Sequence, residues 1–138
     1  MQKHLVGLGL IAGIGLSAAG MAHAEAAGLE HVPGVAEKEL TPFESPGNNT
    51  FLDDFVTSGD DEAPITCGMF RMEQGEPLEY TYPYDEALFV VEGEMEVSDG
   101  RTTASAGSGD VLFIPKGTTV TFSAADYALS FYCGQREG

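Results

Sequence analysis

The sequence predicts a small all-β domain, a sandwich or jelly-roll barrel, behind a cleavable leader. Three observations carry this reading. From Ile65 onward the chain divides into short runs rich in Val, Ile, Thr, Tyr and Phe. Turn signals separate those runs at regular intervals, and 18 glycines and 7 prolines supply the punctuation. No segment after the leader has the 3.6-residue apolar spacing of an amphipathic helix of useful length.

The leader comes first. Residues 1–24 read as a secretory signal peptide: a basic start at Lys3, the apolar run Leu5 to Ala19, and the small-x-small cleavage site Ala22-His23-Ala24. The run is short and glycine-rich for a membrane span. The mature chain is expected to begin at Glu25 and to be periplasmic or secreted, with no membrane association after cleavage. Residues 25–50 read as an irregular arm, with one short strand near Val35 to Leu40. Asp53, Asp54, Asp60, Asp61 and Glu62 form an acidic group without the spaced ligands and glycine of a calcium loop, so solvated turns are expected there.

The β domain is expected over residues 51–138. Its runs are ITCGMFRM (65–72), LEYTY (78–82), ALFVV (87–91), EMEVS (94–98), RTTASA (101–106), VLFIP (111–115), TTVTFS (118–123) and YALSFYC (127–133). Glu92-Gly93 reads as a turn. Asp99-Gly100 is the strongest hairpin signal, because glycine supplies the positive φ of a type I′ turn. Lys116-Gly117 marks another turn, with Lys116 exposed at its tip.

Charge excludes some partners. The net charge is −16; cleavage removes Lys3 and leaves 22 acids against 5 bases. Phosphates and anionic lipid surfaces repel such a chain, so neither nucleic acid nor membrane is an expected partner. Cys67 and Cys133 are too far apart in sequence for a CxxC pair or half of a zinc site. An oxidising compartment allows them one structural disulfide, and two separate buried thiols fit the sequence equally well.

Two segments carry a family pattern. Tyr80-x-Tyr82, Glu86 and Gly93 occur at the spacing of a His-x-His, glutamate and glycine motif. Gly109, Pro115 and Gly117 follow at the spacing of a second motif, whose histidine position is Val120. The chain thus resembles the cupin family, which implies a jelly-roll barrel with Tyr80, Tyr82, Glu86 and Val120 at the metal-ligand positions. The phrases YDEALFVVEGEMEV, GDVLFIPKGTTVTF and YALSFYC are similar to the ethanolamine-utilization EutQ-type cupins. That resemblance implies a metal-free barrel, a homodimer, and a link to acetate kinase activity in the cytoplasm. The export signal departs from the group, and the kinase activity is not carried over.

The residues themselves set the chemistry. After cleavage the sole histidine is His31 in the arm. One glutamate and two phenols are a poor site for ions that prefer imidazole or thiolate, so no metal and no cofactor is expected. Residues two apart on a strand share a face, so Tyr80 and Tyr82 should point together into the barrel beside Glu86. Desolvation should raise the Glu86 pKa and suit it to acid–base work or to hydrogen-bonding a small polar ligand. Arg71 joins the candidate ligand-binding set if it points inward, where it would pair with Glu86. Tyr84 and Asp85 are expected at a loop, Glu79 in solvent, and Phe113 in the core. Three readings stay open. The barrel binds a small organic molecule through Tyr80, Tyr82, Glu86, Arg71 and Val120; it is a metal-independent lyase or isomerase with Glu86 catalytic; or it is a dimeric structural module whose interior side chains are filler.

Overall fold

The computed structural model describes residues 28–43 and 47–138; the expected leader lies outside them. Eight strands follow one another: β1 Thr50–Thr57, β2 Thr66–Glu73, β3 Leu78–Thr81, β4 Glu86–Ser98, β5 Thr103–Gly107, β6 Val111–Ile114, β7 Thr119–Ser123 and β8 Tyr127–Gly134. All pairings are antiparallel. Strands β1, β2, β8, β4 and β6 make one sheet, and β3, β7, β4 and β5 make the other. The all-β jelly-roll expectation therefore holds.

Strand β4 joins the two sheets. Its first half pairs with β6 and β8, and its second half with β5 and β7. The break between them was expected to be a turn at Glu92-Gly93. Instead the strand continues, and the register with β8 shifts between Val90 and Glu92. Such a bulge bends and twists a strand so that it can pass from one sheet to the other. Gly93 is needed there: its φ is 74°, and a Cβ would collide with the Tyr127 carbonyl.

Strand β1 is a second departure. Asp53 and Asp54 were read as turn residues, yet both lie on this strand, paired with Met69 and Gly68 of β2. Val35–Glu37, where a strand was expected, is a single 3-10 turn. The arm packs its Leu40 and Val35 onto the outer face of β2 and β8, against Met69 and Leu129.

The inner face holds the main core. Phe70, Met72, Leu88, Val90, Met95, Val97, Val120, Phe122 and Tyr132 are all buried in it. Burying one such side chain contributes about 1.5–3 kcal/mol. Alternation is strict along the first part of β4: Glu86, Leu88 and Val90 point in, while Ala87 and Phe89 point out. The same rule corrects Phe113, which was expected in the core. It lies opposite Ala87 and is 63% exposed. Phe89, Val111, Phe113 and Phe131 all lie on this outer face.

Cys67 and Cys133 are directly opposed across β2 and β8, with Cα atoms 4.1 Å apart and their sulfurs joined as a disulfide. The bridge lies on the outer face, because Gly68 and Tyr132 beside it face inward.

Candidate functional site

A cavity of about 250 Å³ opens at the inner face between the sheets, lined among others by Tyr80, Tyr82, Tyr84, Glu86, Tyr132 and Arg136. Phe43, Leu52, Phe70, Leu78, Leu88 and Phe122 complete its apolar walls. Strand β3 carries Tyr80 inward, and the short link Tyr82 to Asp85 brings two more phenols to the rim before β4 starts with Glu86. Pro83 interrupts the ladder within this link. Asp85 faces the loop as expected, accepting a hydrogen bond from the Lys116 backbone N–H at 2.7 Å. Glu79 and Lys116 are exposed, also as expected.

Glu86 is 6% exposed, and its Oε1 accepts the Tyr82 hydroxyl at 2.9 Å. Burial pushes its carboxyl up from 4.5 to about 7, against the opposing pull of the Tyr82 hydrogen bond and of Arg136. Burial first, then the neighbouring Glu86 charge, drives the Tyr82 phenol well above its ordinary value. The Tyr84 phenol rises for the same leading reason, with Tyr80 adding to it. The Tyr82 and Tyr84 phenols thus stay protonated at any ordinary pH and act as hydroxyls.

A second set of polar groups centres on Arg136 and Tyr132, which also line the cavity. Arg136 donates from Nη2 to Asp54 Oδ1 at 2.6 Å and from Nη1 to Asp54 Oδ2 at 3.0 Å. The Tyr132 hydroxyl donates to Asp54 Oδ1 at 2.6 Å. The Arg136 hydrogen bonds hold the Asp54 carboxyl below its usual range, with Tyr132 helping and burial opposing. The guanidinium also stacks over the Tyr84 ring, 5.5 Å from its centroid.

The structure thus gathers Tyr80, Tyr82 and Glu86 as the sequence suggested, and adds Tyr84, Asp54, Tyr132 and Arg136. Two of the expected residues lie elsewhere. Arg71 is on the outer face of β2, because its neighbours Phe70 and Met72 face the core. There it pairs with Glu73 at 2.9 Å and stacks over Tyr127, far from any role with Glu86. Val120 is opposite Tyr80 and buried, but it packs in the core below the cavity and is not part of the lining. Tyr84, expected at a loop, turns back over the cavity. Gly134 gives it room: a Cβ at that position would lie 2.9 Å from the Tyr84 ring and 3.2 Å from Glu86 Oε2.

Comparison with known proteins fits this architecture. Residues 30–135 match the family described as "Ethanolamine utilisation protein EutQ". The chain belongs to the EutQ family. A relative named acetate kinase EutQ, from Clostridioides difficile, is 35% identical over 100 residues, covering 71% of this chain and 61% of that protein. The chain thus spans less than two thirds of that relative's length. The solved structure of the Clostridium difficile EutQ protein matches with a TM-score of 0.58 and 31% identity, covering 66% of this chain and 65% of that one. The Schizosaccharomyces pombe Cnp3 cupin domain matches with a TM-score of 0.60 at 12% identity, over 75% of this chain and 68% of that one, and shares the fold.

Cupin barrels often hold a metal ion, but the donors of this EutQ-family chain are a poor match for one. Val120 offers no donor atom. The Tyr82 phenol resists ionisation and already occupies one Glu86 oxygen. Among the described residues no three His, Cys, Asp or Glu side chains converge. This donor set does not fit a divalent transition metal, which takes imidazole, thiolate or several ionised oxygens.

Proposed function

We propose that this EutQ-family chain is an exported, metal-independent cupin that binds a small organic molecule in its barrel, with Tyr80, Tyr82 and Glu86 in the pocket. One observation carries the reading. A carboxyl and four phenols surround open space of about 250 Å³, where a filled core would place apolar side chains. That volume is just below the range of about 300–1,000 Å³ for drug-sized ligands, and suits a small metabolite. The leader at residues 1–24 supports export, and the mass of the secreted protein tests it: a mature start at Glu25 is expected, and a retained leader counts against it. Acetate kinase activity belongs to the relative's name. A chain exported away from ATP, with no glycine-rich phosphate loop in its sequence, gives that activity little support here.

A thermal-shift screen of small carboxylates, amines and sugars tests the binding reading. At least one class should stabilise the protein, and the Glu86→Gln protein should lose that response. No response from any class, with the variant behaving like the parent, removes the reading.

A second reading follows from the Glu86 carboxyl titrating near 7. A group so poised is suited to general acid–base catalysis at neutral pH, as in a lyase or isomerase. A bell-shaped pH profile that disappears in Glu86→Gln supports this; activity surviving the change removes Glu86 from the mechanism. Self-association is a separate proposal. The outer-face residues Phe89, Val111, Phe113 and Phe131 form an uncharged area on a chain of net charge −16, so a second copy can meet it without opposing like charges. Light scattering at micromolar concentration should give a dimer, and a monomer counts against pairing.

A further inference from the structure

Three phenol rings follow one another at right angles along the cavity. Tyr80 and Tyr82 have centroids 4.8 Å apart at an interplanar angle of 89°, and Tyr82 and Tyr84 are 5.7 Å apart at 83°. The face of an aromatic ring is negative and attracts cations. Perpendicular rings present such faces from several directions, which is how aromatic cages hold alkylammonium groups.

Charge in the cavity points the same way. Among the described residues, Arg136 is the one cation in the lining. Both of its terminal nitrogens are engaged by Asp54, and Nη1 also donates to the Glu137 carbonyl at 2.9 Å. Asp54 therefore engages the Arg136 guanidinium directly, and the pull that Arg136 keeps on Glu86 is opposed by the Asp54 charge. Among the described residues Glu86 has no ion-pair partner. One of its oxygens takes the Tyr82 hydroxyl; the other has no hydrogen-bond donor among the described residues and lies toward Gly134, beside the Tyr84 ring. A carboxylate ligand would meet Glu86 without a free guanidinium to answer it. A neutral ligand leaves the buried charge unmatched. An ammonium group satisfies both the rings and the acid.

Resting on the reading that the cavity takes a small molecule, we infer that its ligand is a small organic cation, a primary or quaternary ammonium compound, held by Tyr80, Tyr82 and Tyr84 with Glu86 as counter-ion. The groups facing Glu86 are consistent with this. Tyr82 and Tyr84 come from the link before β4, Tyr132 from β8, Asp54 from β1 and Arg136 from the C-terminal segment. None of them supplies a free positive charge. Because burial keeps much of the Glu86 population protonated near neutrality, binding of the cation displaces a proton, and affinity rises with pH through this range.

Calorimetric titration at pH 8 provides the test, with choline and ethanolamine as cations, 3,3-dimethylbutan-1-ol as the neutral isostere of choline, and acetate as an anion. At least one cation should bind about tenfold or more tightly than the neutral isostere, and acetate should not compete. Glu86→Gln should remove most of the cation's advantage over the isostere and leave the isostere unchanged. Tyr84→Leu should weaken the cation more than the isostere, and circular dichroism checks that both variants fold. If the isostere binds as tightly as the cations, or acetate binds more tightly, the cavity is a ligand site but the cation inference is overturned. If none of the four probes binds, the cation inference is overturned, and the thermal-shift screen with carboxylates and sugars decides the binding reading separately.

Discussion

Replacing Glu86 with glutamine should stabilise the protein at alkaline pH and leave it nearly unchanged in mild acid. The carboxyl is 6% exposed, and burial raises its pKa from 4.5 to about 7. Between those values the folded chain holds a proton that the unfolded chain has lost. The unfolded state then binds fewer protons, so stability falls as pH rises. The penalty is absent below about pH 4.5 and complete above about pH 7. At about 1.4 kcal/mol per pH unit, that gap amounts to about 3 kcal/mol. Glutamine has the shape of the protonated acid and still offers an oxygen to the Tyr82 hydroxyl. Urea denaturation of both proteins at several pH values, from 4.5 to 8.5, measures the difference. The wider charge repulsion of a −16 chain affects both proteins alike and cancels. The stability difference should grow from near zero to about 3 kcal/mol in favour of the variant. A difference that stays constant across the range refutes the buried-acid account.

Arg136→Met should raise the Glu86 titration midpoint further, because the guanidinium is the cation that lowers it; the same change leaves Asp54 without its partner and should cost about 1–3 kcal/mol by chemical denaturation. Gly134→Ala should weaken ligand binding with little loss of fold, since its Cβ enters the space beside Tyr84 and Glu86; unaltered affinity would mean that ligands do not reach this end of the cavity. Reduction of the Cys67–Cys133 bridge, which links residues 66 apart, should lower stability by about 2–5 kcal/mol. A thiol assay on the denatured, unreduced protein should find no free thiol, and two per chain would exclude the bridge.

Much of the barrel was legible in the sequence because its strands after Ile65 are short and flanked by strong turn residues. Where that signal failed, the cause is local. In TFLDDFVT two adjacent aspartates serve opposite faces of β1. Asp53 accepts the Thr41 backbone N–H on the outside at 2.8 Å, while Asp54 turns inward to Tyr132 and Arg136. Each is answered by a partner distant in sequence, so no alternation of apolar and polar residues marked the strand. Gly93 looked like a turn because a positive φ at a bulge and a positive φ in a hairpin leave the same trace.

The candidate site divides in the same way. Tyr80, Tyr82 and Glu86 were found through motif spacing, which fixes register and hence the inner face. Arg71 failed because β2 is apolar on both faces: the arm covers its outer side around Met69, so hydrophobicity could not say which way arginine points. Arg136 escaped notice because it lies just past the last strand, and Asp54 because its strand was not recognised; the two meet across 82 residues of sequence. Phe113 was misplaced because an outward phenylalanine next to Ala87 reads like core until the pairing register is known.

The central claim is that Glu86 is a buried acid facing open, ligand-accessible space. Carbon-detected NMR titration of its side-chain carboxyl tests this most directly. The account predicts a midpoint near 7 in the free protein, falling when an ammonium compound is added. A midpoint in the ordinary glutamate range, indifferent to every added compound, would contradict it.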